Sequence, residues 1–281
     1  MPDPVRHRRT LQQALQAFLA TAGRRGRRVD LRDASDVLVA GDLHGHVENF
    51  RRLLDRAALA QHPGRHLVVQ ELIHGPYRYP AGGDKSHQLL DLLAALKCQY
   101  PHRVHMLLGN HELCQGTGQW VAKGEEDLND LFRLGVSSAY GDAAEEIYGL
   151  YRNLFAVLPL AIATPNRVFL SHSLPNGRRI DAFDPAALER FPSPEEQLQP
   201  GGAAHALVWG RDTSLATVTT FLQKVDADLL ITGHIPCSEG FAAPNERQLI
   251  LDAMGCPACC CLFPADRPLT HPELLACVQT L

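Results

Sequence analysis

Short apolar runs recur along the chain, and several stop abruptly at an acid, an amide or a histidine. Residues 37–40 (VLVA) read as a strand by length and β-branching. Residues 67–69 begin a second strand that can extend over 66–73, and 104–108 make a third. Between them the period changes. Residues 48–59 put Phe50, Leu53, Leu54 and Ala57 on one helical face, and 86–99 do the same with Leu89, Leu90, Leu93 and Leu96. The stretch 75–84 (GPYRYPAGGD) reads as a loop from its glycines and prolines. Strand, helix, strand, helix, strand in succession predicts α/β layering.

Residues 115–154 turn helical and more polar, which reads as an insertion capping one face. Strands are then expected over 158–163, 168–172, 206–209, 229–232 and 248–252, with a helix at 214–225 among them. The segment SPEE, within 191–202, reads as an irregular surface loop. The expected fold class is α/β, with two packed mixed β-sheets flanked by helices. Its domain covers 36–265, after an N-terminal helix and basic linker (1–35) and before a C-terminal tail (266–281).

The N-terminus needs separate reading. Residues 7–23 have a basic start and an Ala-Thr-Ala that imitates a cleavage site. Gln12, Gln13 and Gln16 interrupt the apolar stretch, while Leu11, Leu15, Phe18 and Leu19 fall at helical spacing. An amphipathic helix is therefore preferred to a signal peptide. The following GRRGRR (23–28) reads as a solvated linker rather than an anion site.

Composition adds little until histidine and cysteine are considered. The chain has 281 residues, 45% of them apolar, and a net charge of −4, which gives no global case for nucleic acid. No apolar run approaches a membrane span. The eight cysteines, four of them in CPACCC, do not form a disulfide framework. Buried small residues in a last strand are the preferred reading over a thiolate metal site, and a reducing compartment, the cytoplasm, fits.

The strand ends carry the chemistry. Asp42 and His44, Glu71, Asn110 and His111, His172, and His234 each follow an apolar run. One such residue alone is ordinary turn chemistry, but five strand ends of one chemical kind are not. Asp42 and His44, two apart on an extended strand, would point the same way. Oxygen and imidazole donors without thiolate suit Mn, Fe or Zn. Seven groups exceed the needs of one ion, whereas two divalent ions roughly 3.5–4 Å apart can activate water and clamp a phosphate.

The segments GDLHGH, LLGNHE, FLSHS and TGHIP resemble the calcineurin-like metallophosphoesterases. LLDLLAALKCQYPHRVHMLLGNHE and YGLYRNLFAVLPLAIATPNRVFLSH are similar to the phosphoprotein (serine/threonine) phosphatase branch and its bacterial members. The resemblance covers about residues 36–252. It implies a four-layer α/β/β/α sandwich with a binuclear metal centre. It places the first metal on Asp42 and His44, the bridging carboxylate on Glu71, and the second metal on Asn110, His172 and His234. It makes His111 the proton donor to the leaving group. Gly41, Gly109 and Gly233 are expected to let the backbone turn sharply beside the ions.

The second motif departs from the family pattern. Where the family has GDxxDRG, this chain has QELIHG. The bridging Asp becomes Glu71, the Asp that orients the proton donor becomes His74, and the phosphate-binding Arg becomes Gly75. The family's His-Gly-Gly is likewise His172-Ser173-Leu174. Arg211, in LVWGRD, and Arg78, in PYRYP, are the candidates to hold phosphate instead. Two functions follow. One is a metal-dependent phosphatase of phosphoproteins, small phosphorylated metabolites or dinucleotides. The other is a metal-binding scaffold that has lost turnover and acts in recognition. Neither calls for a membrane or a clear nucleic-acid partner.

Overall fold

The computed structural model describes residues 3–191, 193, 196 and 202–281. Strand β3 (Asp36–Asp42) lies between β4 (Arg65–Gln70), to which it runs parallel, and β13 (Cys259–Pro264), to which it runs antiparallel. Helices α2 (Val47–Ala57) and α3 (His87–Gln99) cross over between β3, β4 and β5 (Val104–Leu107). With β14 (Val278–Thr280) on β13, the order of this five-stranded sheet is β14-β13-β3-β4-β5. The second sheet has seven strands. It adds β1 (Arg24–Arg25), β2 (Arg28–Asp30), β8 (Ala161–Ala163), β9 (Val168–Ser171), β10 (Leu229–Thr232), β11 (Phe241–Asn245) and β12 (Gln248–Leu251), in the order β1-β2-β8-β9-β10-β12-β11.

The strands read as unbroken apolar runs because both of their faces are covered. Their period of two sorts side chains into two cores. Val37, Val39, Val68, Leu170, Ile231 and Leu249 pack in the layer between the sheets. Leu38, Ala40, Leu67, Val69, Phe169 and Leu230 pack outward under helices. The two mixed sheets therefore sit inside two helical layers. On the outer face of the larger sheet, Phe169 meets Phe221 of α8 (Leu215–Val225) edge-on at 5.6 Å. The stretch expected as a cap insertion, 115–154, falls within α4 (Asn110–Thr117), a small hairpin β6 (Ala122–Lys123) and β7 (Glu126–Asp127), α5 (Leu128–Tyr140) and α6 (Ala144–Val157).

Several expectations change. Residues 206–209 are not a strand but part of helix α7 (Ala203–Trp209). A short apolar run does not distinguish the two, and Ala203 and Ala204 extend it in helical form. The basic stretch 23–28 is not a solvated linker. It is the β1–β2 turn, and the Arg27 side chain is fully buried. Arg27 donates to Ala156 O (3.0 Å) and Leu158 O, and Arg24 donates to Phe18 O (2.9 Å) and Val157 O. The last carbonyls of a helix have no intrahelical donors, and these guanidinium groups supply them at the ends of α6 and α1.

The N-terminal helix forms as expected, as α1 (Pro4–Leu19), and it packs on α3 and α6. Cys259, Cys260 and Cys261 are buried in β13, which is followed by the unexpected β14. Most of the stretch expected as a surface loop over 191–202 lies outside the described residues. No helix among the described residues is long and apolar enough to cross a membrane.

Candidate metal centre

The site forms where β3, β4, β9 and β10 end and α4 begins. Asp42 is the last residue of β3, Glu71 follows β4, His172 follows β9, and His234 lies two residues beyond β10. Asn110 and His111 are not strand residues as expected. They open α4, with Gly109 as its N-cap. Nor is the Asp42–His44 segment extended throughout, since His44 has a φ of 39°. Glu71 (49°), His74 (62°) and His234 (66°) share this left-handed conformation. Each such residue costs roughly 1–2 kcal/mol, and such strain clusters at functional sites.

The side chains converge. His172 Nε2 lies 2.8 Å from Glu71 Oε2 and 3.0 Å from Asn110 Oδ1. His234 Nδ1 lies 2.9 Å from the same Asn110 Oδ1, and the His234 N–H donates to Asp42 Oδ2 at 3.0 Å. Gln70 fixes the His172 tautomer. Its Nε2 donates to Ala40 O (3.2 Å), so its Oε1, 2.8 Å from His172 Nδ1, accepts the proton carried there. His172 Nε2 is then a bare lone pair, and burial holds this imidazole neutral by lowering its pKa to about 3.

Three acceptors thus face one another: an imidazole nitrogen, a carboxylate oxygen and an amide oxygen. Asp42 Oδ1 and Glu71 Oε2 are also buried without a hydrogen-bond donor. Asp42, Glu71 and His172 each offer one ligand atom within 4.8 Å of the others. Converging lone pairs without a proton between them fit a divalent cation, and oxygen and imidazole donors suit Mn, Fe or Zn. Without a cation the carboxyls are hard to ionise. Burial raises Glu71 to about 7, and burial together with Glu71 and Asp252 raises Asp42.

His44 lies outside this tight group. Its Nδ1 donates to Ile73 O at 2.9 Å, which leaves Nε2 as the donor available to an ion. His234 is engaged on its other side, because Arg211 Nε donates to its Nε2 at 3.1 Å. Nδ1 of His234 therefore carries the proton that Asn110 Oδ1 accepts. For this ring to ligate through Nδ1, Arg211 has to release it. Arg211 is exposed, and its terminal nitrogens have no protein partner among the described residues.

Arg78, expected as a phosphate ligand, serves its own loop. It donates to Gly75 O at 2.7 Å and lies 3.7 Å from Asp84 and 3.8 Å from Glu126. No side chain fits at Gly75, because a Cβ there would be 2.3 Å from His44 O. His74 Nδ1 lies 2.6 Å from His111 Nδ1, so an imidazole contacts the expected proton donor where the family has a carboxylate. Burial lowers the pKa of both rings, that of His74 to about 4.

The glycines act through space rather than through turning. None of Gly41, Gly109 and Gly233 adopts the left-handed conformation. A Cβ at Gly109 would lie 2.0 Å from Glu71 Oε2, and one at Gly233 would lie 2.3 Å from Asp42 Oδ1. Sequence reasoning missed three supporting residues. Gln70 orients His172. Glu112 Oε1 accepts the Leu72 and Ile73 N–H groups at 2.8 and 3.2 Å. Asp252 follows β12 directly and bridges to Asp42, and its Oδ2 accepts the Cys237 N–H at 3.0 Å. Asp252 had the same signal as the ligands, an apolar run closed by an acid.

A two-sheet sandwich with acids, amide and imidazoles gathered at its strand ends defines a metallophosphoesterase class of site. The calcineurin-like phosphoesterase family model matches residues 35–238, and the chain belongs to that family. Among relatives, it is 24% identical over 226 residues to serine/threonine-protein phosphatase 5 of Solanum lycopersicum, covering 75% of this chain and 37% of that protein. It is 27% identical over 224 residues to serine/threonine-protein phosphatase BSL2 of Arabidopsis thaliana, covering 78% of this chain and 20% of that protein. The chain thus spans well under half the length of these relatives.

Two solved structures share the fold. A Saccharomyces cerevisiae protein serine/threonine phosphatase, described as similar to human PP5, superposes with a TM-score of 0.73 at 16% identity, covering 100% of this chain and 90% of that one. A cold-active protein-tyrosine phosphatase of a Shewanella species does so at 0.60 and 14%, covering 90% and 82%.

Proposed function

We propose that the protein is a metal-dependent phosphoesterase that hydrolyses a phosphomonoester, with a phosphoprotein as the favoured substrate. The convergence of His172 Nε2, Glu71 Oε2 and Asn110 Oδ1, with Asp42 Oδ1 buried beside them without a donor, carries this reading. Asp42, His44 and Glu71 would hold one divalent ion, and Glu71, Asn110, His172 and His234 a second. Two such ions, of Mn, Fe or Zn, would supply activation of a water and neutralisation of phosphoryl charge.

The chain's own groups do the rest. Arg211, swung from His234, offers its guanidinium fork to the phosphoryl oxygens. His111 passes a proton from its ring to the leaving oxygen. His74 holds His111 by the Nδ1–Nδ1 contact. Unpaired thiols at Cys98, Cys114 and Cys237 agree with work in the cytoplasm.

A second reading has its own observation. Gly75 leaves no cation where the family has one, and His74 brings no negative charge to His111. These features favour a metal-binding scaffold with impaired turnover. Small phosphorylated metabolites and dinucleotides are the alternative substrates. The test is hydrolysis of 4-nitrophenyl phosphate by metal-free protein reloaded with Mn²⁺, with bound metal measured alongside. Turnover that follows metal content supports the enzyme. Two bound ions without turnover support the scaffold, and no binding overturns both.

A further inference from the structure

His74 does not stop at His111. Its Nε2 lies 2.8 Å from Oε1 of Gln115, a buried residue of α4 that no motif singles out. The orientation of this amide is set by what surrounds it. Gln115 Nε2 faces the Asn129 carbonyl at 3.4 Å and the Tyr148 hydroxyl at 2.9 Å. A carbonyl only accepts, so the NH₂ end belongs there and Oε1 belongs to His74.

The consequences run along the row. Gln115 Oε1 can only accept, so His74 carries its proton on Nε2. His74 Nδ1 is then a lone pair, and the contact of 2.6 Å requires His111 to donate from its Nδ1. The nitrogen of His111 left without a protein partner among the described residues is Nε2, a lone pair in the neutral ring, which takes up a proton before His111 can give one to the leaving oxygen. Phe132 stands edge-on to the His74 ring at 6.2 Å, and Ser86 Oγ accepts the His74 backbone N–H at 3.1 Å. Both keep His74 in place.

We infer that Gln115 is a positioning residue: through His74 it decides which ring nitrogen of His111 is tied to the protein and which faces the reaction. This rests on the phosphoesterase reading above. It also gives the cap insertion a part in the chemistry, because Asn129 in α5 and Tyr148 in α6 hold the amide. Without the acceptor on Gln115, His74 is free to move its proton to Nδ1. It would then present a donor to His111, and His111 would have to offer its own Nδ1 lone pair or turn away.

The test pairs two readouts on Gln115→Leu and Gln115→Glu. The first is ¹⁵N NMR of the imidazoles in metal-free protein, assigned with His74→Gln and His111→Gln. Wild type should show His74 protonated on Nε2 and His111 on Nδ1, and Q115L should lose that order while Q115E keeps it. The second is turnover with Mn²⁺ on two esters. Phenol leaves poorly, with a pKa of about 10 like the tyrosine side chain, whereas 4-nitrophenol is the more acidic leaving group. A well-placed acid contributes on the order of 10²–10⁴-fold. Q115L should therefore slow phenyl phosphate about tenfold and 4-nitrophenyl phosphate less than twofold, with KM unchanged, and Q115E should restore the phenyl ester. Equal slowing of both esters, or the opposite tautomers in wild type, overturns the inference. If loaded wild type hydrolyses neither ester, the phosphoesterase reading falls, and the NMR order alone still decides the role of Gln115.

Discussion

Replacing Glu71 by Gln should stabilise the metal-free protein and weaken its response to metal, two effects of opposite sign from one residue. The Glu71 carboxyl is buried, and burial raises its pKa from the ordinary 4.5 to about 7. For an acid with a raised folded pKa, the folded state is undisturbed below 4.5, where the carboxyl is neutral in both states. It loses stability as the pH rises from 4.5 to about 7, because only the unfolded chain ionises freely. The loss is then constant at higher pH. At 1.36 kcal/mol per pH unit, the gap between 4.5 and about 7 is worth about 3 kcal/mol.

Gln carries no charge to bury. Its Oε1 still accepts the His111 N–H, now 2.9 Å from Glu71 Oε1, and its NH₂ gives His172 Nε2 the donor it lacks. At pH 8, EDTA-treated E71Q should therefore unfold about 6 °C above wild type, at roughly 2 °C per kcal/mol for a chain of this size. At pH 5 the two should differ by less than about 2 °C. Adding Mn²⁺ at a hundredfold excess over its Kd should stabilise wild type by about 2.7 kcal/mol for each occupied site, and E71Q should bind about one ion fewer per chain. Differential scanning calorimetry with metal analysis makes the measurement. An E71Q protein that is less stable than wild type at pH 8 without metal, or that retains both ions, refutes the reasoning.

Other substitutions test neighbouring claims. Gly109→Ala places a methyl 2.0 Å from Glu71 Oε2, so the carboxylate must leave its position. Mn²⁺ affinity should fall at least tenfold by calorimetric titration, and unchanged affinity would mean that Glu71 is not a ligand. His74→Asp puts a carboxylate beside His111 and favours its protonated form. The high-pH limb of the phenyl phosphate rate should move up and turnover should rise. No gain with both metals bound would show that His111 needs no carboxylate. Arg27→Met leaves the buried Leu158 carbonyl without its donor, at roughly 1–3 kcal/mol, and removes a second, part-buried bond to the Ala156 carbonyl. Urea denaturation should show a loss of about 3 kcal/mol, and a loss under 1 kcal/mol would place water at the end of α6.

The candidate ligands were legible because each obeys a local rule, an apolar strand that ends in a donor. Asp42, Glu71, His172 and His234 all follow that rule, and so does Asp252, which was read only as the end of a strand. Gln70, Glu112 and Gln115 obey no local rule. Each acts by closing a hydrogen bond to a residue distant in sequence, and an isolated Gln or Glu in a polar stretch looks like solvated surface. Helix α7 was misread for the opposite reason. Its local pattern was real but matched two periods, and only its packing decides between them. Arg24 and Arg27 were misread because a run of arginines is normally solvated, and nothing in GRRGRR announces the helix end that it caps.

The longer acid at position 71 shows how the site absorbs a departure from its family. One more methylene must push the strand back, shift the ions or be absorbed by the backbone. Packed strands yield little, and β4 is buried along its whole length, so the adjustment falls on the loop after it. Glu71 turns into the left-handed region, which brings its carboxylate over Gly109, the one neighbour without a Cβ to obstruct it. The turned backbone is tied down at once. Glu71 O accepts the Leu43 N–H at 3.0 Å and the His44 N–H at 2.8 Å, and Leu72 O accepts the Gly45 N–H at 2.9 Å. Glu112 takes the next two N–H groups from below. These bonds lock the loop that carries His44 to the loop that carries Glu71. The strain at either residue is thus held by the other, and His44 and Glu71, two of the three expected ligands of the first ion, are placed by one interlocked unit.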